Sequence, residues 1–172
     1  MSEVVETDLL DTDQYLTFTL AKEIFALDIG TIREVLELTP ITKIPRTPEF
    51  MCGVINLRGH AVPVVNMRQK LNMSKGEYTV DTCIIIVEVE FDGEITVMGA
   101  LVDSVSEVTE LPPEAIESAP KMGAIIDTVY IKGMGRINDK FVIVLDISRV
   151  FSAEELAFVR SMANENEGGE EE

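Results

Sequence analysis

The stretch GVINLRGHAVPVVNMR, Gly53 to Arg68, decides how this chain is read. Val, Ile, Leu and Ala dominate it, so it is strand-forming and destined for burial. Two features interrupt it: Arg58-Gly59-His60 breaks the run, and Pro63 sits inside the second half. The spacing predicts two strands, Met51 to Leu57 and Ala61 to Val65, separated at residues 58–60. Pro63 has no amide to give to a ladder, which places its strand at a sheet edge or a barrel corner. Gly59 favours a tight turn that leaves Arg58 little shielded.

Short strands continue on both sides. YLTFTLA (Tyr15 to Ala21) alternates, with Leu16, Phe18 and Leu20 on one face. A turn at Lys22-Glu23 leads to a return strand, Ile24 to Ile29. A helical turn at Gly30 to Arg33 precedes another strand, and Pro40, Pro45 and Pro48 mark a loop. Met67 to Leu71 reads as a short helix and Met73 to Asp81 as a polar loop. CIIIVEVEF (Cys83 to Phe91) opens with an Ile run that does not alternate, so that part is expected to be covered on both faces. Asp92-Gly93 is a hairpin turn signal. One bent strand or two follow it, with Gly99 a candidate bulge. A last hairpin turns around Asn138-Asp139. Ser152 with Glu155 forms a capping box for a closing helix, whose apolar stripe is Leu156, Val159 and Met162. Many strands and few helices predict an all-β fold built from small barrels.

Composition removes several function classes. The 172 residues hold 31 Asp and Glu against 14 Lys and Arg, a formal net charge of −17. Binding free nucleic acid needs clustered cations, so it is not expected. Cys52 and Cys83 lie inside apolar runs and read as free thiols in a reducing cytosol rather than a disulfide scaffold. The acidic first residues do not read as a signal peptide, and no window approaches the roughly 20 apolar residues of a membrane span.

Catalytic material is sparse. His60 is the only His, and no nucleophile motif accompanies it, so it reads as a solvent-exposed turn residue. No phosphate-cradling glycine motif, metal-ligand cluster or calcium loop is present, so no cofactor and no metal are expected. Arg58 and Arg68 each follow an apolar segment. Each is either a solvated charge with its stem on apolar surface or an interface anchor. Ile29 and Ile32, flanking the break at Gly30, are either core or an exposed apolar groove.

The order of these pieces resembles the CheW adaptor family of bacterial chemotaxis. GVINLRG, the following aliphatic-Pro-aliphatic segment and Asn66-Met67-Arg68 carry the resemblance. FALDIGTIREV, the I-P-x-x-P-type loop in ITKIPRTPEFMCGVINLRG, and MGALVDSVSEV agree in order, from about Gln14 to Met162. The resemblance implies two five-stranded SH3-like β-barrel subdomains on a shared apolar core, and no catalysis. It implies a cytoplasmic adaptor recruited to membrane-associated arrays. Its partners would be a CheA-type histidine kinase, through the kinase's regulatory domain, and the cytoplasmic tips of chemoreceptors, with no insertion into the membrane. A related adaptor for a non-taxis receptor-kinase pathway, serving pili or development, fits the same motifs.

Carried over by position, Leu16, Ile29, Ile32, Cys83 and Val108 match aliphatic positions of the receptor groove. Cys83 departs from the family in being smaller and oxidisable. Glu34 and Arg58 match positions of the kinase and array interface. At position 66 stands Asn, so no salt bridge from Arg58 or Arg68 to that residue is expected. The chain accordingly divides into a flexible lead, residues 1–13, a domain of two interleaved barrel subdomains, residues 14–163, and an acidic disordered tail, residues 164–172.

Overall fold

The computed structural model describes residues 13–91, 93–118 and 128–171. Ten strands form two five-stranded sheets. The first has the order β8-β1-β2-β10-β9, built from β1 (Gln14–Leu20), β2 (Glu23–Asp28), β8 (Ser104–Glu110), β9 (Ile131–Ile137) and β10 (Lys140–Leu145). The second has the order β3-β6-β7-β5-β4, built from β3 (Ile32–Glu37), β4 (Met51–Leu57), β5 (His60–Asn66), β6 (Cys83–Phe91) and β7 (Glu94–Val102). Short helices α1 (Met67–Lys70) and α2 (Ile147–Val150) follow β5 and β10, and α3 (Ala153–Glu171) closes the chain. The all-β class with two five-stranded units is borne out. No helix of the described residues is long and apolar enough to cross a membrane.

Side-chain alternation explains the non-alternating Ile run. Successive strand residues point to opposite faces. Ile85, Val87 and Val89 enter a large cluster that also takes Leu16, Phe18, Phe25 and Leu27 from the first sheet. Ile84 and Ile86 point the other way, into a cluster confined to the second sheet with Ile55, Val62, Val64 and Leu101. The first sheet has its own counterpart, with Tyr15, Ala26, Val142 and Val144. Each sheet therefore encloses one cluster and shares another. Fully burying such an aliphatic side chain is worth about 1.5–3 kcal/mol, and it is why Ile84 to Val87 are apolar on both faces, while polar residues return to β6 only at Glu88 and Glu90.

The opening stretch folds as a hairpin. Leu57 pairs with His60 across a two-residue loop, Arg58-Gly59, in which both residues have positive φ, +52° and +86°. That is the backbone of a type I′ turn, whose twist matches the strands. The Asn56 side-chain oxygen accepts the Gly59 amide at 2.8 Å. Gly53 has a steric reason to be glycine: a Cβ there would lie 2.0 Å from the Thr42 carbonyl oxygen.

Of the two places expected for the Pro63 strand, a sheet edge or a barrel corner, the edge is not found. That strand, β5, lies between β4 and β7. Pro63 is tolerated because its cross-strand partner Val54 spends both its amide and its carbonyl on Thr42, at 2.9 and 2.8 Å, on the far side of β4. The Val54–Pro63 pair is thus a non-hydrogen-bonded one, and pairing with β7 starts only at Val64.

Other differences have equally local causes. The first hairpin turns at Ala21-Lys22, both with positive φ, one residue earlier than expected. Gly99 is no bulge: it pairs regularly with Ile86, and a Cβ there would lie 2.7 Å from an Ile84 methyl carbon. The capping box holds as expected, with the Ser152 amide donating to Glu155 at 2.8 Å and the Glu155 amide donating to the Ser152 hydroxyl oxygen at 3.1 Å. Leu156, Val159 and Met162 are buried in the shared core. From there α3 continues to Glu171, where the sequence reading places a disordered tail beyond residue 163. A capped, packed start supplies the costly nucleus, and each further turn then needs only propagation. Residues 1–12 of the expected lead lie outside the described residues.

Candidate functional site

Glu34 and Arg58, far apart in sequence, meet at one end of the second sheet. The positive φ of the hairpin turn positions Arg58 over edge strand β3. Its two terminal nitrogens donate to the two Glu34 carboxylate oxygens at 2.9 and 2.8 Å. This two-pronged geometry fixes the guanidinium plane as well as its position. The hydrogen bond from Arg58 holds the Glu34 carboxyl below its ordinary value, and the same bond raises Arg58. The Arg58 side chain is nonetheless 69% exposed. Beside it on β3, Arg33 pairs with Glu88. Arg58 and His60 also line an open cleft of about 430 Å³, with Leu57, Val62 and Ile95 in its wall and Arg160 at its side.

Four of the five positions matched to the receptor groove, Leu16, Ile29, Ile32 and Cys83, lie in or against the core the two sheets share. Edge strands β3 and β8 belong to different sheets. Ile29 opens and Ile32 follows the 3-10 turn Ile29–Thr31 that leads into β3, and both are half-buried against the shared core. That turn is capped by Asp28, whose carboxylate accepts the Gly30 amide at 2.8 Å. Cys83 opens β6 and is half-buried in the same fringe. Burial pushes its thiol up, partly offset by a backbone hydrogen bond from Val105 on β8. That contact joins the second sheet to the edge of the first. Val108 on β8 is 50% exposed. Leu16 is its direct neighbour on β1 but is only 6% exposed. Leu16 therefore lies in the shared core and not on an open surface.

A bulge sets where Val108 sits. Leu16 pairs with Val108 and Phe18 with Val105, so β8 carries one residue more than β1 over this step. Thr17, Ser106 and Glu107 fall outside the paired register at this step. The Thr17 hydroxyl donates to the Glu107 carbonyl at 3.0 Å and accepts the Glu107 amide at 3.2 Å. Nothing in the alternation of YLTFTLA marks Thr17 for this role beyond a hydroxyl on an apolar strand.

Arg68 is no idle charge either. Its Nε donates to Asp103 at 2.8 Å, and its Nη2 contacts the second carboxylate oxygen. Burial pushes the Asp103 carboxyl up, yet hydrogen bonds from Arg68 and the Ala21 amide leave it below its ordinary value. Asn66, as expected, takes neither arginine: its side-chain oxygen accepts the Gln69 amide and caps α1.

The CheW-like domain family matches residues 14–155. The chain belongs to the CheW family. The chemotaxis protein CheW of Klebsiella aerogenes is 35% identical over 150 residues, covering 87% of this chain and 88% of that protein. CheW of Thermotoga maritima is 31% identical over 143 residues, covering 83% and 90%. The crystal structure of the scaffolding protein TtCheW from Thermoanaerobacter tengcongensis matches with a TM-score of 0.74 at 35% identity, covering 84% of this chain and 90% of that one. The CheW resemblance drawn from the NLRG stretch is thereby borne out, and with it the assignment to chemotaxis scaffolds.

Proposed function

We propose that this CheW-family chain is a non-catalytic coupling protein that joins the cytoplasmic tips of chemoreceptors to a CheA-type histidine kinase. The observation that carries the reading is that Ile29, Ile32 and Cys83 lie half-buried against the core the two sheets share, while Val108 stands exposed on edge strand β8 beside the buried Leu16. Aliphatic positions of this kind suit an amphipathic helix laid in a groove, the shape a receptor tip presents. The exposed Arg58–Glu34 pair is the polar contact for the kinase regulatory domain. Arg is enriched at interface hot spots, and pre-aligned donors bind with little ordering cost. Contacts of this size are individually weak, and repetition in an array multiplies them. In the cell the protein would work in the cytoplasm against the membrane-anchored array.

Chemical-shift mapping with a soluble receptor cytoplasmic fragment tests the reading. Amides of Ile29 to Ile32, Cys83 and Val105 to Val108 shift, while those of the Asn138-Asp139 hairpin do not. Shifts confined to the far hairpin, or none at all at millimolar fragment, refute it.

A further inference from the structure

Asp103 is the one residue between β7 and β8, and so it stands where the chain passes from the second sheet to the first. Its backbone amide and its carboxylate both bond across that junction. The backbone amide donates to Thr19 of β1 at 3.1 Å. The carboxylate accepts the Ala21 amide of the first hairpin turn at 2.8 Å. The same carboxylate takes the Arg68 guanidinium from α1, at the end of β5 in the second sheet. The Arg68 side chain is 19% exposed. The loop after α1 packs over it so closely that a Cβ at Gly76 would lie 2.5 Å from its Nη1.

We infer that Arg68 and Asp103 form a clasp that positions β8 and so sets the width of the groove between β3 and β8. This rests on the reading of that groove as the receptor site. The two residues do not touch the receptor. They act through the strand that begins immediately after Asp103. Ser104 is fixed at once, its hydroxyl 2.6 Å from that of Thr19. Val105 then meets Cys83, which pairs across β6–β7 with Val102, the residue before Asp103. Cys83 also pairs with Glu37 of β3, so β3 and β8 are both tied to the strand junction at Asp103. A bidentate guanidinium–carboxylate pair is suited to the task because it fixes an angle as well as a distance.

The test uses the full chain with Asp103→Asn, which keeps the shape and removes the charge, and Arg68→Lys, which keeps the charge and removes the planar fork. A charge-assisted hydrogen bond lost at this site corresponds to a change of about tenfold in a local equilibrium. Asp103→Asn is expected to weaken receptor-fragment binding about tenfold and to speed amide exchange of Val105 to Val108 by a similar factor. Binding of the kinase regulatory domain and exchange in the β6–β7 hairpin stay at wild-type levels, and Arg68→Lys falls between. A uniform rise in exchange across both sheets would overturn the inference, as would parallel loss of both affinities or unchanged receptor binding. Failure of the wild-type chain to bind the fragment would instead refute the docking reading. In that case exchange confined to β8 would still establish the clasp, and uniform exchange would remove it.

Discussion

Thr17→Val probes the device that places Val108. The substitution keeps the side-chain shape and deletes a hydroxyl that is within a buried residue and makes two hydrogen bonds to Glu107. A typical net hydrogen bond contributes about 1 kcal/mol, and stranding a buried backbone donor or acceptor costs about 1–3 kcal/mol. The added methyl returns about 0.8 kcal/mol through its apolar surface. The expected balance is a loss of about 2 kcal/mol. For a chain of this size that lowers Tm by about 4–8 °C. Thr17→Ser is the control, since it keeps the hydroxyl and loses one methyl, at about 1 kcal/mol. Urea unfolding followed by circular dichroism should rank wild type above Ser and Ser above Val, with the m-value unchanged. If Thr17→Val is as stable as Thr17→Ser, the hydroxyl does not hold the bulge and the account of the groove wall is wrong.

Other consequences are more compact. Glu34 has a folded-state pKa below its unfolded value, so the stabilisation it draws from Arg58 is complete above the ordinary carboxylate range and disappears as pH falls through the depressed value. Arg58→Glu should raise the Glu34 titration midpoint in carboxyl-carbon NMR, and an unmoved midpoint would contradict the pairing. Gly53→Ala drives a Cβ into the Thr42 carbonyl and should cost about 3 kcal/mol or more by thermal unfolding, because backbone must move. Leu156→Ala, at a core position, should cost about 3 kcal/mol, and Ser152→Ala, at the helix cap, about 1 kcal/mol, both read from urea midpoints.

Sequence periodicity was enough for most strands because each sheet must cover two faces. The Ile84 to Ile86 run and the alternation around Leu16 and Phe18 follow directly from that demand. The break at Arg58-Gly59-His60 is legible because glycine at a strand break has few other uses, but the turn takes only Arg58 and Gly59, and His60, expected in it, opens β5 opposite Leu57. Pro63 misled for a reason no local rule contains: Val54, its partner, bonds to a loop residue twelve positions upstream of itself. The paired arginines were equally out of reach. Glu34 and Arg58 are 24 residues apart and Arg68 and Asp103 are 35 apart, so only the sheet order brings each pair together. Composition marked both arginines as solvated charges or anchors, and the family resemblance selected Arg58 alone. Leu16 shows the opposite case: the resemblance matches it to the groove, yet it is buried because its strand face is already committed to the shared core.

Ternary co-sedimentation tests the coupling role most directly. Purified protein is mixed with a CheA-type kinase and receptor cytoplasmic fragments, and kinase activity is read in the pellet. The wild-type chain is expected to bring all three together and to activate the kinase. Val108→Glu should lose the receptor and keep the kinase, while Arg58→Glu should lose the kinase and keep the receptor. If both variants, folded by circular dichroism, assemble and activate like wild type, the coupling surfaces are not where this account puts them.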